Sequence, residues 1–294
     1  MDGNVSAWKD QGLPDNEILK KIELSKHNLV NNDLSGVKIK GANLSQGNLM
    51  RANLRKADLT EVDFRGADMM GAHLENSNLT GALFTGNHMT QSVFNEARLD
   101  KANLSGTNLA NSFFKWAKME GTIFSKAVMT HAALTGVETD QVQFIKADLT
   151  HVSFREAVLK GAQFNFAKCV RTDFRETEIE GSDFSQANLG QADFRVSTIS
   201  KTQFTGAHLS QANFTSAEMD GVNFTDANLE EADFTDVDLE TVIFKGAQLK
   251  GANFEESTKL SCEQVSLATI DKKTRLPSYL EVTWEGKKFE CKAR

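Results

Sequence analysis

Apolar residues recur at every fifth position from Leu24 to Phe254 without an insertion or a deletion. The frame holds 47 centres, and all but Thr139 and Cys169 are Leu, Ile, Met or Phe. Two residues before each centre lies a second register that is nearly always Ala, Ser, Thr or Val, as at Ala42, Ala52, Ala187 and Ser197. The residue just before the centre is commonly Asn or Asp, as at Asn43, Asn53, Asp58 and Asp63. Two residues after it stand 15 of the 20 glycines, the residue that relieves steric cost where a chain bends tightly. A period of five matches neither the 3.6 of a helix nor the 2.0 of a strand. It predicts a polygonal coil in which each five-residue unit makes one side. One large and one small side chain point inward, and the other three face out or turn the corner.

The phenylalanines give the number of sides. All 17 that occupy centres fall into two series with a spacing of twenty, one running from Phe64 to Phe244 and the other from Phe94 to Phe254. Twenty residues per turn means four sides, and positions ten apart then lie on opposite faces. Two opposing faces supply rings and the other two supply smaller aliphatics. Volume explains this: four rings in one layer would overpack a narrow interior, and four leucines would underfill a wider one.

Units such as GANLS, RANLR, KADLT and QANFT resemble the A(D/N)LXX motif of the pentapeptide-repeat family, over residues 24–254. The resemblance implies an all-β solenoid, a right-handed quadrilateral β-helix with four units per coil. About 12 coils at the ~4.8 Å strand spacing would stack to roughly 55 Å. Repeat folds usually present a rigid surface to a protein partner, so a non-catalytic interaction module or rigid scaffold is expected. Some members resemble B-DNA in width and charge and bind type II topoisomerase (the quinolone-protection type), and others are effectors or regulators.

The only prolines, Pro14 and Pro277, flank the repeat; proline cannot donate to a backbone ladder. The reading is therefore an N-terminal cap over residues 1–23, the solenoid over 24–254 and a C-terminal cap over 255–294. Asp15–Glu23 predicts a short helix after Pro14. SCEQVSLATI predicts a helical turn, and EVTWEGKKFEC a hairpin with Glu285-Gly286 at its turn.

Net charge is −7, which argues against direct nucleic-acid binding, since that leaves a basic footprint. No apolar run approaches the ~18 residues of a membrane span, and the first residues show no signal pattern. A cytoplasmic protein is expected. Cys169 sits at a centre and reads as a small core hydrophobe. Cys262 and Cys291 share the C-terminal cap, where they could meet, but they are expected as free thiols in a reducing compartment.

Catalytic signatures are missing: there is no GxSxG, HExxH or P-loop. No cofactor and no metal are expected; His131 and His151, twenty apart, would stack without a third ligand. Two surfaces are candidates for a partner. The first groups Phe113 and Trp116 with Arg98, Lys115 and Lys118, aromatics flanked by cations as in binding hot spots; Leu83, Val93, Ile123 and Val128 are further apolar residues at outward positions. The second is an acidic stretch without Lys or Arg between residues 202 and 244: Glu218, Asp220, Asp226, Glu230, Glu231, Asp233, Asp236, Asp238 and Glu240. Their centres fall in all four columns, so the acids are expected to ring the coil.

Overall fold

Each five-residue side carries backbone groups that must find partners once the centre is buried. The structure, a computed structural model describing residues 24–286 and 288–294, meets this need by stacking. The centre N–H donates to a carbonyl 19 residues on (Leu29 to Asn48, 2.7 Å), and the preceding N–H to a carbonyl 21 residues back (Asn48 to His27, 2.9 Å). A corner N–H reaches the next coil too (Asn31 to Met50, 3.0 Å), and a turn bond closes the side (Ala52 N–H to Leu49 carbonyl, 3.0 Å). Isolated parallel bridges join residues twenty apart, such as Asn28 with Asn48 and Asn188 with His208. The chain is thus a parallel β-solenoid with four sides per turn. The helix expected at Asp15–Glu23 lies outside the described residues.

The chain divides into two compact units, ending at Ser153 and beginning at Phe154. In the first, single-residue bridges make up the ladders, and one three-residue strand, β1 (Glu138–Asp140), is present. In the second, β2 (Val158–Lys160), β3 (Glu178–Glu180), β4 (Thr198–Ser200) and β5 (Glu218–Asp220) pair in parallel. The expected stack of about 12 equivalent coils is corrected here. Among the described residues of the coil, three-residue strand recurs at five positions, over four turns' worth of sequence, and elsewhere the sides touch through single bridges.

The core follows the volume argument. The apolar centres are buried throughout. Within each unit rings of one column stack, as Phe164 and Phe184 do at 4.3 Å and 5°. Rings of the opposite column meet them edge to face, as Phe174 and Phe184 do at 5.7 Å and 87°. Buried hydroxyls of the second register bond to ladder carbonyls (Ser77 Oγ to Leu74, 2.6 Å; Thr107 Oγ1 to Phe84, 3.0 Å). The Asn or Asp before the centre accepts the N–H two residues on (Arg65 to Asp63 Oδ1, 3.0 Å; Thr235 to Asp233 Oδ1, 2.9 Å), a local turn bond that these short side chains favour.

The corners are left-handed whether or not they hold glycine: Lys56, Trp116, Phe166 and Val196 all have φ near +58°. Glycine therefore eases a conformation that the stack imposes on every residue type. Among the described corners from residue 26 to 256, Thr241 alone does not adopt it.

Asn87 breaks the small-residue register. It is buried, its Nδ2 meets only Met69 Sδ at 3.6 Å, and its Oδ1 has no partner. An unsatisfied buried acceptor costs about 1–3 kcal/mol. Asn87→Ala, matching Ala67 and Ala72, is expected to stabilise the protein by about 1 kcal/mol and raise the melting midpoint by about 2 °C. A lower midpoint would mean that the void left behind outweighs the lost penalty.

The C-terminal segment closes the core. Helix α1 (Cys262–Ser266) starts at a capping box between Ser261 and Gln264. Gln264 Nε2 donates to the Leu239 and Val242 carbonyls at 2.7 and 2.8 Å. Thr269 and Arg275 bridge Gln248 and Asn253 in place of a further coil. Strands β6 (Leu280–Glu285) and β7 (Lys288–Ala293) form an antiparallel hairpin, with Trp284 opposite Phe289 and Glu285 opposite Lys288. Gly286 therefore lies in the turn (φ +66°), and Glu285 belongs to the ladder. One expectation is overturned: Cys262 and Cys291 are joined in a disulfide, with Cα atoms 5.4 Å apart. The hairpin register, which sets Cys291 opposite Val282, and α1, which carries Cys262, bring the two sulfurs together, which no spacing rule in the sequence reveals. Among the described residues, no helix is long and apolar enough to cross a membrane.

Candidate functional site

The aromatic corner is built by the period. Phe113 is an outward residue just before a centre, bridged to Val93 and Ala133, and Trp116 is the left-handed corner two residues after that centre (φ +58°). Phe113 is 47% exposed and Trp116 55%. The indole lies across Gly136, where an added Cβ would come within 2.5 Å of Trp116 Cδ1. Glycine at 136 is what lets the ring lie down. Lys115 Nζ sits 4.0 Å from the indole centroid, a cation–π contact worth about 0.5–1 kcal/mol at an exposed position.

Arg98 and Lys118 bridge each other on the adjoining face, but their charges are compensated. Arg98 Nε pairs with the buried carboxylate of Asp100, and Lys118 Nζ lies 3.6 Å from Glu138. The residues that offset them stand two and twenty positions on, and the twenty-residue period alone points to Glu138. Of the other apolar residues that the sequence offered, Val93 alone adjoins this corner, through its bridge to Phe113. Leu83 and Ile123 belong to one ladder, Val128 to a second and Val93 to the Phe113 ladder. Exposed Phe166 and Val196, at corners of the second unit, and Ile243 and Leu267 were not singled out by the sequence. Phe166 and Val196 stand in the frame's glycine position, which is the signal that marks them.

The nine acids separate. Glu218, Asp220, Asp236, Asp238 and Glu240 line one groove. Glu230 pairs with Lys250 at 3.2 Å. Glu231 accepts from Gln211 at 2.7 Å, and Asp233 from Asn253 at 3.1 Å. Asp226 is a corner residue facing Gly246. Lys259 Nζ binds two of these carboxylates, Asp238 at 3.0 Å and Glu240 at 2.7 Å. Its hydrogen bond holds the Asp238 carboxyl below the usual range.

His131 and His151 stack face to face at 4.8 Å and 9°. No group of three or more His, Cys, Asp or Glu that could hold a metal ion occurs among the described residues. Cys169 is buried at a centre and outside the disulfide.

The family model described as a pentapeptide repeat region matches residues 107–184 and 182–254. That described as pentapeptide repeats (8 copies) matches 48–86 and 88–125. No curated protein matches the chain. Among solved structures, HetL, a pentapeptide repeat protein involved in heterocyst differentiation regulation from the cyanobacterium Nostoc, is 22% identical, with a TM-score of 0.52 over 71% of this chain and 86% of its own. A pentapeptide repeat protein of the Arabidopsis thaliana thylakoid lumen is 28% identical, with a TM-score of 0.22 over 33% of this chain and 65% of its own. QnrB1, a plasmid-mediated fluoroquinolone resistance protein, is 16% identical, with a TM-score of 0.26 over 72% of this chain and 93% of its own.

Proposed function

We propose that this chain, which belongs to the pentapeptide-repeat family, is a non-catalytic binding module that holds a protein partner on its aromatic corner. The observation that carries the reading is Trp116, laid open across Gly136 beside exposed Phe113. The coil imposes the left-handed corner on every residue type, so what distinguishes position 116 is the exposed indole it carries there. The regular backbone fixes where both rings stand, so binding orders few groups and loses little entropy. Lys115 on the indole supplies charge beside the apolar surface, while Arg98 and Lys118, engaged with Asp100 and Glu138, keep the adjoining face near neutral.

The double variant Phe113→Ser, Trp116→Ser tests this. Both side chains are outside the core, so circular dichroism is expected to be unchanged. Affinity for the native partner, isolated by pull-down from the source and identified by mass spectrometry, is expected to drop by about 30-fold or more, the scale of a ~2 kcal/mol hot spot. Undiminished capture by the double variant rules this corner out. A cytoplasmic location stays part of the proposal, and rapid alkylation of source lysate checks it. Cys262 and Cys291 isolated fully oxidised would argue for an oxidising compartment.

A further inference from the structure

The C-terminal hairpin is a sheet of only two strands, β6 and β7, too few for independent stability in water. Its ladder is fixed at the open end, where Arg294 N–H donates to the Tyr279 carbonyl at 2.9 Å. Hydrogen-bonded and non-hydrogen-bonded pairs alternate along an antiparallel ladder. Glu281 with Lys292, Thr283 with Glu290 and Glu285 with Lys288 are therefore the bonded pairs. Val282 and Trp284 turn their N–H and C=O groups outward on the β6 side, as Phe289 and Cys291 do on the β7 side. Neither Val282 N–H nor Trp284 N–H has an acceptor among the described residues.

The two edges differ. Helix α1 lies against β7 and is tied to it by Cys262–Cys291, and β7 carries Lys288 and Lys292. Covering an edge and placing lysine on it both keep other strands away. β6 has neither protection. Leu280–Glu285 contains no Pro and no Lys, and its one-to-one register with β7 holds no bulge. Among the described residues, the one hydrogen bond or ion pair of its side chains joins Glu281 to Arg294 at 3.4 Å, so none clips the strand to the coil. Leu280 N–H is used in a turn bond to the Pro277 carbonyl at 3.0 Å, which leaves the Val282 and Trp284 amides as the open part of the edge.

We propose that β6 pairs antiparallel with β6 of a second copy of this chain, joining two hairpins into one four-stranded sheet. The site is independent of the aromatic corner. Charge makes the strand complementary to itself in one register. A two-fold pairing must set outward groups opposite outward groups, and two registers do so over five residues of β6. The register centred on Thr283 sets Glu281 opposite the second copy's Glu285, and like charges directly opposite are destabilising. The register centred on Val282 sets Glu281 opposite the second copy's Thr283 and brings no like charges face to face. Within each hairpin Lys292 and Lys288 already stand opposite Glu281 and Glu285, so the charged faces meet near neutrality. In this register Val282 N–H donates to the second copy's Val282 carbonyl, and Trp284 N–H to its Leu280 carbonyl. On the other face Val282 stands opposite Val282, and the half-buried Trp284 opposite Leu280.

The test uses the full chain with its disulfide intact. A contact of one short strand belongs among small, weak interfaces, so sedimentation equilibrium is expected to show a reversible monomer–dimer equilibrium with a dissociation constant of about 10 µM. Hydrogen exchange at the Val282 and Trp284 amides is expected to slow as the concentration rises through that value. Val282→Pro removes an outward N–H but no bond of the hairpin, and is expected to weaken the dimer by about tenfold or more. Thr283→Lys faces Glu281 of the second copy and Glu290 of its own hairpin, and is expected to tighten the dimer by about fivefold. A chain that stays monomeric at about 200 µM overturns the proposal and leaves the edge to a strand of another protein. A dimer whose Val282 and Trp284 amides stay unprotected, or one that Val282→Pro does not weaken, overturns it too. If Val282→Pro fails to close its disulfide, the exchange of the unaltered chain and Thr283→Lys still decide.

Discussion

Phe184→Ala is expected to destabilise the coils around it by about 3–5 kcal/mol, the range for an aromatic deleted from a packed core. Phe184 stacks on Phe164 at 4.3 Å and Phe204 at 5.0 Å. It also takes the edges of Phe174 at 5.7 Å and Phe194 at 6.3 Å. Its neighbours cannot collapse into the hole, because the ladder bonds of each coil fix their height. Couplings in a solenoid run mainly between adjacent repeats, so the loss is expected to be local. Amide exchange should accelerate from about residue 164 to 204 and change little beyond. Gln186→Ala, two residues on at an outward corner, is expected to shift stability by no more than about 0.5 kcal/mol. A uniform rise in exchange through the chain would show that the coils do not behave as stacked neighbours.

Reduction of Cys262–Cys291, or Cys262→Ser with Cys291→Ser, is expected to loosen the C-terminal cap by about 3–4 kcal/mol, the scale for a cross-link closing a loop of this size; the two cysteines are 29 residues apart. The bond ties α1 to β7, and α1 supplies Gln264, whose two hydrogen bonds end the ladder at Leu239 and Val242. Buried Val265 goes with it. An uncovered coil end presents unpaired strand groups, which recruit other chains. Light scattering on heating is therefore expected to show earlier association of the reduced protein than of the oxidised one. Identical melting and equal association in both states would mean that the cap holds without its cross-link.

The two kinds of residue differ in how far the sequence reveals them. Centres and corners were legible because every turn repeats the same demand: a ring at Phe184 has the same surroundings as one at Phe204. The Asn and Asp preference was visible, but its cause, a bond to the N–H two residues on, needed the backbone. The departure of Thr241 from the left-handed corner was not legible. Thr241 stands in the corner register, yet Val196, also β-branched, takes the left-handed conformation there; residue type alone does not decide. Contacts from beyond the repeat act there too: Gln264 in the cap donates to the Leu239 and Val242 carbonyls on either side of Thr241. Counting acids likewise found the charge but spread it evenly, whereas five of the nine meet at one groove. Arg98 read as an exposed cation because the sequence does not show that Asp100 is buried beneath it.

The turn of twenty residues underlies all of this, and paired cysteines test it most directly. Asn188 and His208 are bridge partners, at a spacing that suits a disulfide, whose Cα atoms lie about 4.4–6.8 Å apart. Asn188→Cys with His208→Cys is expected to cross-link within the monomer under mild oxidation. Asn188→Cys with Gln203→Cys, fifteen apart and on adjoining faces, is expected to stay reduced. Cross-linking of the second pair in preference to the first would contradict a four-sided coil.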